Sequence, residues 1–153
     1  MPKKEGVIEI EGSITEALEL YRSTFRPSPE LSEPRTFLTV NAVVAETVEE
    51  ADRLVKPQEL MMLALRTGSP LSAQHLVEEA EKIEIPASAR PMIDAMRSKW
   101  VVGDAASART QLLDLAATYG VDEVMVNPVA GAYVGTDADR APAREETLRL
   151  LAA

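Results

Sequence analysis

The chain has 153 residues, of which 46% are hydrophobic, and its 16 basic and 25 acidic side chains give a net charge of −9, which repels nucleic acid. It has no cysteine and one histidine, His75, so disulfides, thiolate metal sites and histidine clusters are excluded and we expect no metal site. No apolar run approaches the roughly 20 residues of a membrane span and no signal-peptide pattern opens the chain, so we expect a cytoplasmic protein without a membrane partner.

The first two predicted elements are a strand before Gly12 and a helix after it. Within residues 7–11, Ile8 and Ile10 alternate with Glu9 and Glu11, which predicts a half-buried strand ending at Gly12. Ser13 stands three residues before Glu16, the spacing of a capping box, and predicts a helix that continues through Tyr21. A loop with three prolines follows this helix.

The next element is a strand over residues 36–45, which are rich in β-branched and apolar side chains. Alternation gives this strand one wholly apolar face, and the other face carries two polar side chains, Thr39 and Asn41. The members of the apolar face are Leu38, Val40, Ala42 and Val44.

Helices dominate the middle of the chain. Thr47 and Glu50 form a second capping box, which predicts a helix beginning after Thr47. Pro57 disfavours a helix interior, so we expect it to begin a new helix that ends before Gly68. Two further helical segments are predicted at residues 72–83 and 87–99.

The C-terminal part alternates again between helix and strand. Asp104 is placed to cap a helix that Gly120 closes, and residues 121–126 then form a short buried strand. A loop over residues 127–139 and a helix over 143–151 complete the chain. This order of helices and strands along the chain predicts an α/β fold. In it, residues 36–45 and 121–126 are parallel neighbouring strands, and the connection between them is helical throughout.

Two stretches of sequence carry a family resemblance. Residues 17–56 contain a helix running into YRSTFRPS, a strand TFLTVNAVVAET and a helix EEADRLV, and residues 99–127 read KWVVGDAASARTQLLDLAATYGVDEVMVN. Both resemble the late barrel region of the luciferase-like, flavin-dependent monooxygenases. The resemblance implies that residues 19–153 form a partial (β/α)8 TIM-barrel-like segment with parallel strands and a helical insertion. About five earlier strands of such a barrel have no counterpart, so we expect a truncated enzyme.

Residues 1–18, MPKKEGVIEIEGSITEAL, resemble a different family, the opening of bacterial translation initiation factor 1, which is a small RNA-binding OB-fold protein. The resemblance implies an N-terminal strand and junction over residues 1–18 that is unrelated to the rest of the chain.

The candidate site residues are polar, small or aromatic groups at strand ends. Strands facing a barrel interior are mostly apolar, so Thr39 and Asn41, expected near the C-terminal end of theirs, are candidates to face a ligand. The family resemblance implies that this strand lines a flavin pocket. In the loop over residues 127–135, Gly131 would allow a planar ring to approach and Tyr133 could stack on it. Alternatively, the two polar side chains bond to nearby backbone or water, and the loop is a mobile surface segment.

The resemblance also implies a cofactor and a reaction, namely the use of reduced FMN and oxygen to oxidise an aldehyde or another small organic substrate. That family holds the flavin phosphate with an earlier strand, loop and helix rich in glycine and serine, which have no equivalent here. We therefore expect weak or absent FMN binding and no turnover by this chain alone, and we assign no catalytic residue. Two alternatives remain open: a non-catalytic α/β module that forms homo-oligomers through its open sheet edges, and RNA binding like that of the initiation factor.

Overall fold

The structure is a computed structural model, and it describes residues 10–153. Helices and strands alternate along most of this range. In chain order the elements are α1 (Ile10–Thr24), β1 (Leu38–Val44), α2 (Val48–Thr67), α3 (Val77–Ala80), α4 (Arg90–Arg97), β2 (Val101–Gly103), α5 (Ala105–Tyr119), β3 (Val124–Pro128) and α6 (Pro142–Ala152), with a 3₁₀ turn at Ala87–Ala89. No helix among these is long and apolar enough to cross a membrane.

The strands form one parallel sheet in the order β2-β1-β3, with β1 in the centre. β1 pairs with β3 along five residues, beginning with Leu38 opposite Val124. The predicted α/β class is confirmed, and so is the parallel pairing of residues 36–45 with residues 121–126. Both outer strands leave an edge of the sheet without a strand partner within residues 10–153.

The short strand β2 was not predicted. It pairs with only three residues of β1, from Ala42 to Val44, and it lies inside the connection between β1 and β3. The prediction of a connection that is helical throughout is therefore wrong. Three residues are too few to show strand alternation, and they follow directly on a stretch with helical spacing.

The predicted alternation of β1 is confirmed, and it divides the core into two layers. The even-numbered side chains from Val40 to Val44 pack against α5 and α6, whereas Val43 and Ala45 pack against α2 and α3. The sheet is therefore covered by helices on both faces, but α2 covers the second face only over the C-terminal half of β1.

A buried threonine closes the C-terminal end of β1. Thr147 of α6 is fully buried, and its Oγ1 accepts a hydrogen bond from the Val44 N–H at 3.1 Å. The same hydroxyl can donate to the Ala143 carbonyl at 3.0 Å within the helix. Because these bonds satisfy the polar groups where the strand ends, α6 is held firmly against the sheet.

The helix α2 corrects the prediction for Pro57. α2 runs without interruption from Val48 to Thr67, and Pro57 lies in its interior. A proline cannot donate the usual backbone hydrogen bond and crowds the preceding turn. The carbonyl that loses its helical donor is that of Arg53. The next carbonyl in the same turn, that of Leu54, accepts a hydrogen bond from the Gly131 N–H at 2.8 Å.

Other predicted boundaries have mixed outcomes. The caps are confirmed, since Thr47 accepts from the Glu50 N–H at 3.2 Å and Asp104 accepts from the Ser107 N–H at 2.8 Å. The helix predicted over residues 72–83 is reduced to the single turn of α3, because a loop occupies most of that stretch.

The N-terminal predictions are wrong where the structure describes them. α1 begins at Ile10 and includes Gly12, so the helix does not start at the predicted capping box of Ser13. The helix instead begins three residues before Ser13. The last two residues of the predicted strand are helical, and residues 7–9 lie outside the described part of the chain.

Candidate functional site

The candidate site is a groove of about 410 Å³ along the N-terminal half of β1, here called the β1 groove. Its size lies within the range of about 300–1,000 Å³ that is usual for small-molecule sites. Four consecutive residues of β1, numbers 38–41, form its floor. The other lining residues come from the surrounding helices and from the segment before β2: Ile14, Met62, Arg66, Met92, Ala95, Met96, Lys99, Trp100, Leu115 and Tyr119.

The groove exists because β2 is shorter than β1. β2 pairs with β1 only from Ala42 onward, so residues 38–41 have no strand neighbour on that side within the described chain. The Leu38 N–H donates to the Glu123 carbonyl, just before β3. Along a parallel strand, successive residues direct their N–H and C=O groups alternately to the two sides of the strand. The N–H and C=O of Thr39 therefore point to the open side.

The structure brings the predicted residues Thr39 and Asn41 together in this groove. They are the second and fourth residues of β1, so the expectation that they lie near its C-terminal end is wrong. The strand starts later than predicted, and its C-terminal half is the part that α2 covers. Their assignment as cofactor-binding residues stays a prediction.

A third polar residue on this sheet face was missed from the sequence. Asn127 lies opposite Asn41 in the register, and its Nδ2 donates to the Asn41 Oδ1 at 2.9 Å. Sequence reasoning had placed Asn127 in a loop, whereas β3 continues to Pro128. The signal that could have found it is the matching position of an asparagine on each of two paired strands.

Two basic side chains line the otherwise apolar groove. Arg66 lies in the last turn of α2, and Lys99 follows the end of α4. Neither forms an ion pair with another of the side chains described, residues 14–153. In a chain of net charge −9, they give the groove a local positive charge.

The other two predicted site residues, Gly131 and Tyr133, lie elsewhere. Both line a second cavity of about 270 Å³ beside the loop that follows β3, and neither lines the β1 groove. Gly131 lies against α2, where an added Cβ would stand 2.6 Å from the Pro57 Cγ. Their assignment as cofactor-binding residues is also untested and stays a prediction.

Tyr133 is already engaged by neighbouring charged residues. Its hydroxyl donates to Glu50, and the Arg53 guanidinium lies 5.3 Å from the ring centroid, in cation–π geometry. Burial, followed by the hydrogen bond to Glu50, raises the pKa of Tyr133 to about 12. One face of the ring is thus occupied by Arg53, which leaves less of the ring for a ligand.

The described residues fit FMN only in part. Thr39, Asn41 and Asn127 offer one wall for a planar ring. The turn before α5, by contrast, presents Asp104, and hydrogen bonds from Ser107 lower the pKa of its carboxyl. A carboxylate at this helix N-terminus repels a phosphate. The turn before α5 is therefore not suited to hold the phosphate of FMN.

This chain is similar in sequence or in structure to several known proteins. No family model matches the chain. It is 36% identical over 111 residues to the uncharacterized protein YceB of Bacillus subtilis, and 29% identical over 112 residues to a luciferase-like monooxygenase of Escherichia coli K12. These matches cover 72% and 73% of this chain but 33% of each relative. The crystal structure of apo-MsnO8 matches with a TM-score of 0.69 and 26% identity, over 91% of this chain and 40% of that one.

The chain is thus similar to luciferase-like monooxygenase sequences, and it spans about a third of the length of the curated relatives it matches. The resemblance of residues 1–18 to translation initiation factor 1 is not shown by these relatives and stays a prediction. Half of that stretch, residues 1–9, lies outside the described structure.

Proposed function

We propose that this chain forms part of the barrel of a luciferase-like, FMN-dependent monooxygenase, an oxidoreductase that oxidises a small organic substrate with oxygen. The observation that carries the proposal is the 29% identity to a luciferase-like monooxygenase of Escherichia coli K12, which extends over 73% of this chain but 33% of that protein. The structural match to apo-MsnO8 likewise extends over 91% of this chain but 40% of that one. The parallel pair β1 and β3, with an open edge on each side of the sheet, is the arrangement of neighbouring strands in a barrel that further strands would continue.

In this proposal the sheet face that carries Thr39, Asn41 and Asn127 is one wall of the flavin pocket. Other strands of the barrel supply the opposite wall and the groups that hold the phosphate. When bound, the flavin supplies the redox chemistry with oxygen, and the residues of this chain orient its ring and exclude water. The chain alone has one wall, so it does not turn over.

Titration of the purified chain with FMN tests this role. We expect a dissociation constant weaker than about 100 μM, that is less than about 5.5 kcal/mol of binding free energy, because the phosphate is not held. Flavin fluorescence measures it, and an oxygen-consumption assay with reduced FMN should show no activity above the flavin alone. Tight binding that is lost in Asn41→Ala would contradict the proposal and indicate that this chain forms a complete pocket.

A second candidate function is a non-catalytic module that binds a copy of itself. Two observations favour it: Phe37 and Met125 are each 54% exposed, and β2 and β3 present open edges. Apolar surface beside an open strand edge promotes association. Light scattering at tens of micromolar, roughly the range of moderate interfaces, should report a dimer or larger species, whereas a stable monomer would rule this candidate out.

A further inference from the structure

The cavity beside the loop that follows β3 carries positive charge from two arginines. Arg140, just before α6, and Arg144, in the first turn of α6, both line this cavity of about 270 Å³. Neither forms an ion pair with another of the side chains described, residues 14–153. The carboxyl groups next to them along the chain, Asp139 and Glu145, do not line the cavity. In a chain of net charge −9, this pair of cations favours the binding of an anion.

The guanidinium of Arg144 is oriented by two hydrogen bonds within the protein. Its Nε donates to the Ala130 carbonyl at 3.1 Å, and its Nη2 donates to the Gln74 Oε1 at 3.3 Å. Gln74 is oriented in turn, because its Nε2 donates to the Gln58 Oε1 at 3.0 Å. A guanidinium has more N–H donors than these two bonds use, so Nη1 and the second hydrogen of Nη2 can bind a ligand. A guanidinium held in one orientation suits the two oxygens of a carboxylate.

The remaining walls indicate the size and polarity of the ligand. Five of the lining residues are alanines: Ala130, Ala132, Ala138, Ala141 and Ala143. Their methyl groups offer apolar contact to a short aliphatic chain. The volume of about 270 Å³ lies just below the range of about 300–1,000 Å³ usual for small-molecule sites, so the cavity suits a ligand of a few carbon atoms. The Thr136 hydroxyl also lines the cavity and can donate to a ligand oxygen.

We propose that this cavity binds a short aliphatic carboxylate. Arg140 and Arg144 bind the carboxylate oxygens, and the alanine methyl groups contact the aliphatic chain. The cavity shares no lining residue with the β1 groove. The site is therefore separate from the wall of the flavin pocket proposed above, and it does not depend on the proposed function.

Butyrate is the probe for this site, and butanamide is its matched neutral control. Nuclear magnetic resonance of the isotope-labelled chain reports which backbone amides respond, and the ionic strength is held constant because salt screens exposed charges. We expect butyrate to shift the amide signals of Ala132, Thr136 and Ala143 saturably, with a dissociation constant in the low millimolar range, since so small a ligand makes few contacts. Butanamide should bind at least about fivefold more weakly, because it lacks the charge. Inorganic phosphate should also bind more weakly than butyrate, because it lacks the aliphatic chain.

Variants of exposed arginines test which charge matters. Arg140→Gln should weaken butyrate binding about fivefold, and circular dichroism should show an unchanged fold because Arg140 is exposed. Arg26→Gln is the matched control, since Arg26 is also exposed and does not line the cavity. This control variant should bind butyrate as the unchanged protein does.

Several results would overturn the inference. These are equal binding of butyrate and butanamide, tighter binding of inorganic phosphate, and unchanged binding by Arg140→Gln. Absence of a saturable shift at the three amides would overturn it as well. The titration contains no flavin and requires no other part of a barrel, so its failure is distinct from failure of the proposed function.

Discussion

Replacement of Arg97 by methionine should lower the free energy of unfolding by about 2–3 kcal/mol at neutral pH, because it leaves a buried carboxylate without its partner. Glu59 of α2 is only 4% exposed, and its Oε1 lies 3.2 Å from the Arg97 Nη1. Arg97 also contacts Asp52, which is half-exposed. Urea unfolding followed by circular dichroism measures the loss.

Two further variants identify the cause. In Glu59→Met/Arg97→Met the buried charge is absent as well, so most of the lost stability should return. Asp52→Asn removes only the half-exposed contact and should change the stability by no more than about 0.5 kcal/mol. If the double variant is as unstable as Arg97→Met alone, packing of the arginine stem rather than its charge explains the effect.

The pH dependence of Arg97→Met follows from the environment of Glu59. Burial is the largest influence on its carboxyl and raises its pKa, while Arg97 opposes that rise. A carboxyl group whose pKa is higher in the folded than in the unfolded protein stabilises the fold most at pH values below its unfolded-state pKa. This stabilisation is lost as the pH rises through the folded-state pKa. Removal of Arg97 should raise the pKa further, so the variant should be closest to the unchanged protein in stability at acidic pH.

Replacement of Gly131 by alanine should cost about 2 kcal/mol, because there is no space for a Cβ at this position. The added carbon would stand 2.6 Å from the Pro57 Cγ and 3.3 Å from the Leu54 carbonyl oxygen. The hydrogen bond from Gly131 to that carbonyl holds the loop after β3 against α2. Thermal unfolding should therefore show a clear decrease in melting temperature.

Gly135→Ala is the matched control for this substitution. Gly135 has a φ of 86° and nothing within 4 Å of an added Cβ, so alanine there should cost only about 1 kcal/mol of backbone strain. Pro57→Ala combined with Gly131→Ala removes the closest contact and should recover part of the loss. If Gly131→Ala is no less stable than Gly135→Ala, then the close approach to α2 is not what requires glycine.

Local pattern was sufficient to predict the framework of this fold. The alternation of β1 indicated its two faces, and the caps at Thr47 and Asp104 marked where two helices begin. These features depend on neighbouring residues alone, so one sequence contains them. The parallel pairing of β1 with β3 followed from the usual right-handed crossover.

The missed features depend on distant contacts. Pro57 lies inside α2, and in the turn before it the Leu54 carbonyl accepts a hydrogen bond from Gly131, more than seventy positions along the chain. The groove at Thr39 exists because β2 ends its pairing at Ala42, and the length of β2 is not visible in any local periodicity. The sequence therefore indicated two polar residues of the groove, Thr39 and Asn41. It did not indicate Arg66 and Lys99, which lie beside them because of how α2 and α4 pack.

The most direct test of the central claim is whether this chain combines with the rest of a barrel. It should be co-expressed with the part of Bacillus subtilis YceB that lies outside the region matched by this chain, and the purified material analysed by light scattering and flavin absorbance. If this chain supplies the barrel strands that this part of YceB lacks, a one-to-one complex that retains FMN should form. The chain in isolation should retain none. The claim would be contradicted if circular dichroism shows that each chain is folded and the two chains do not associate.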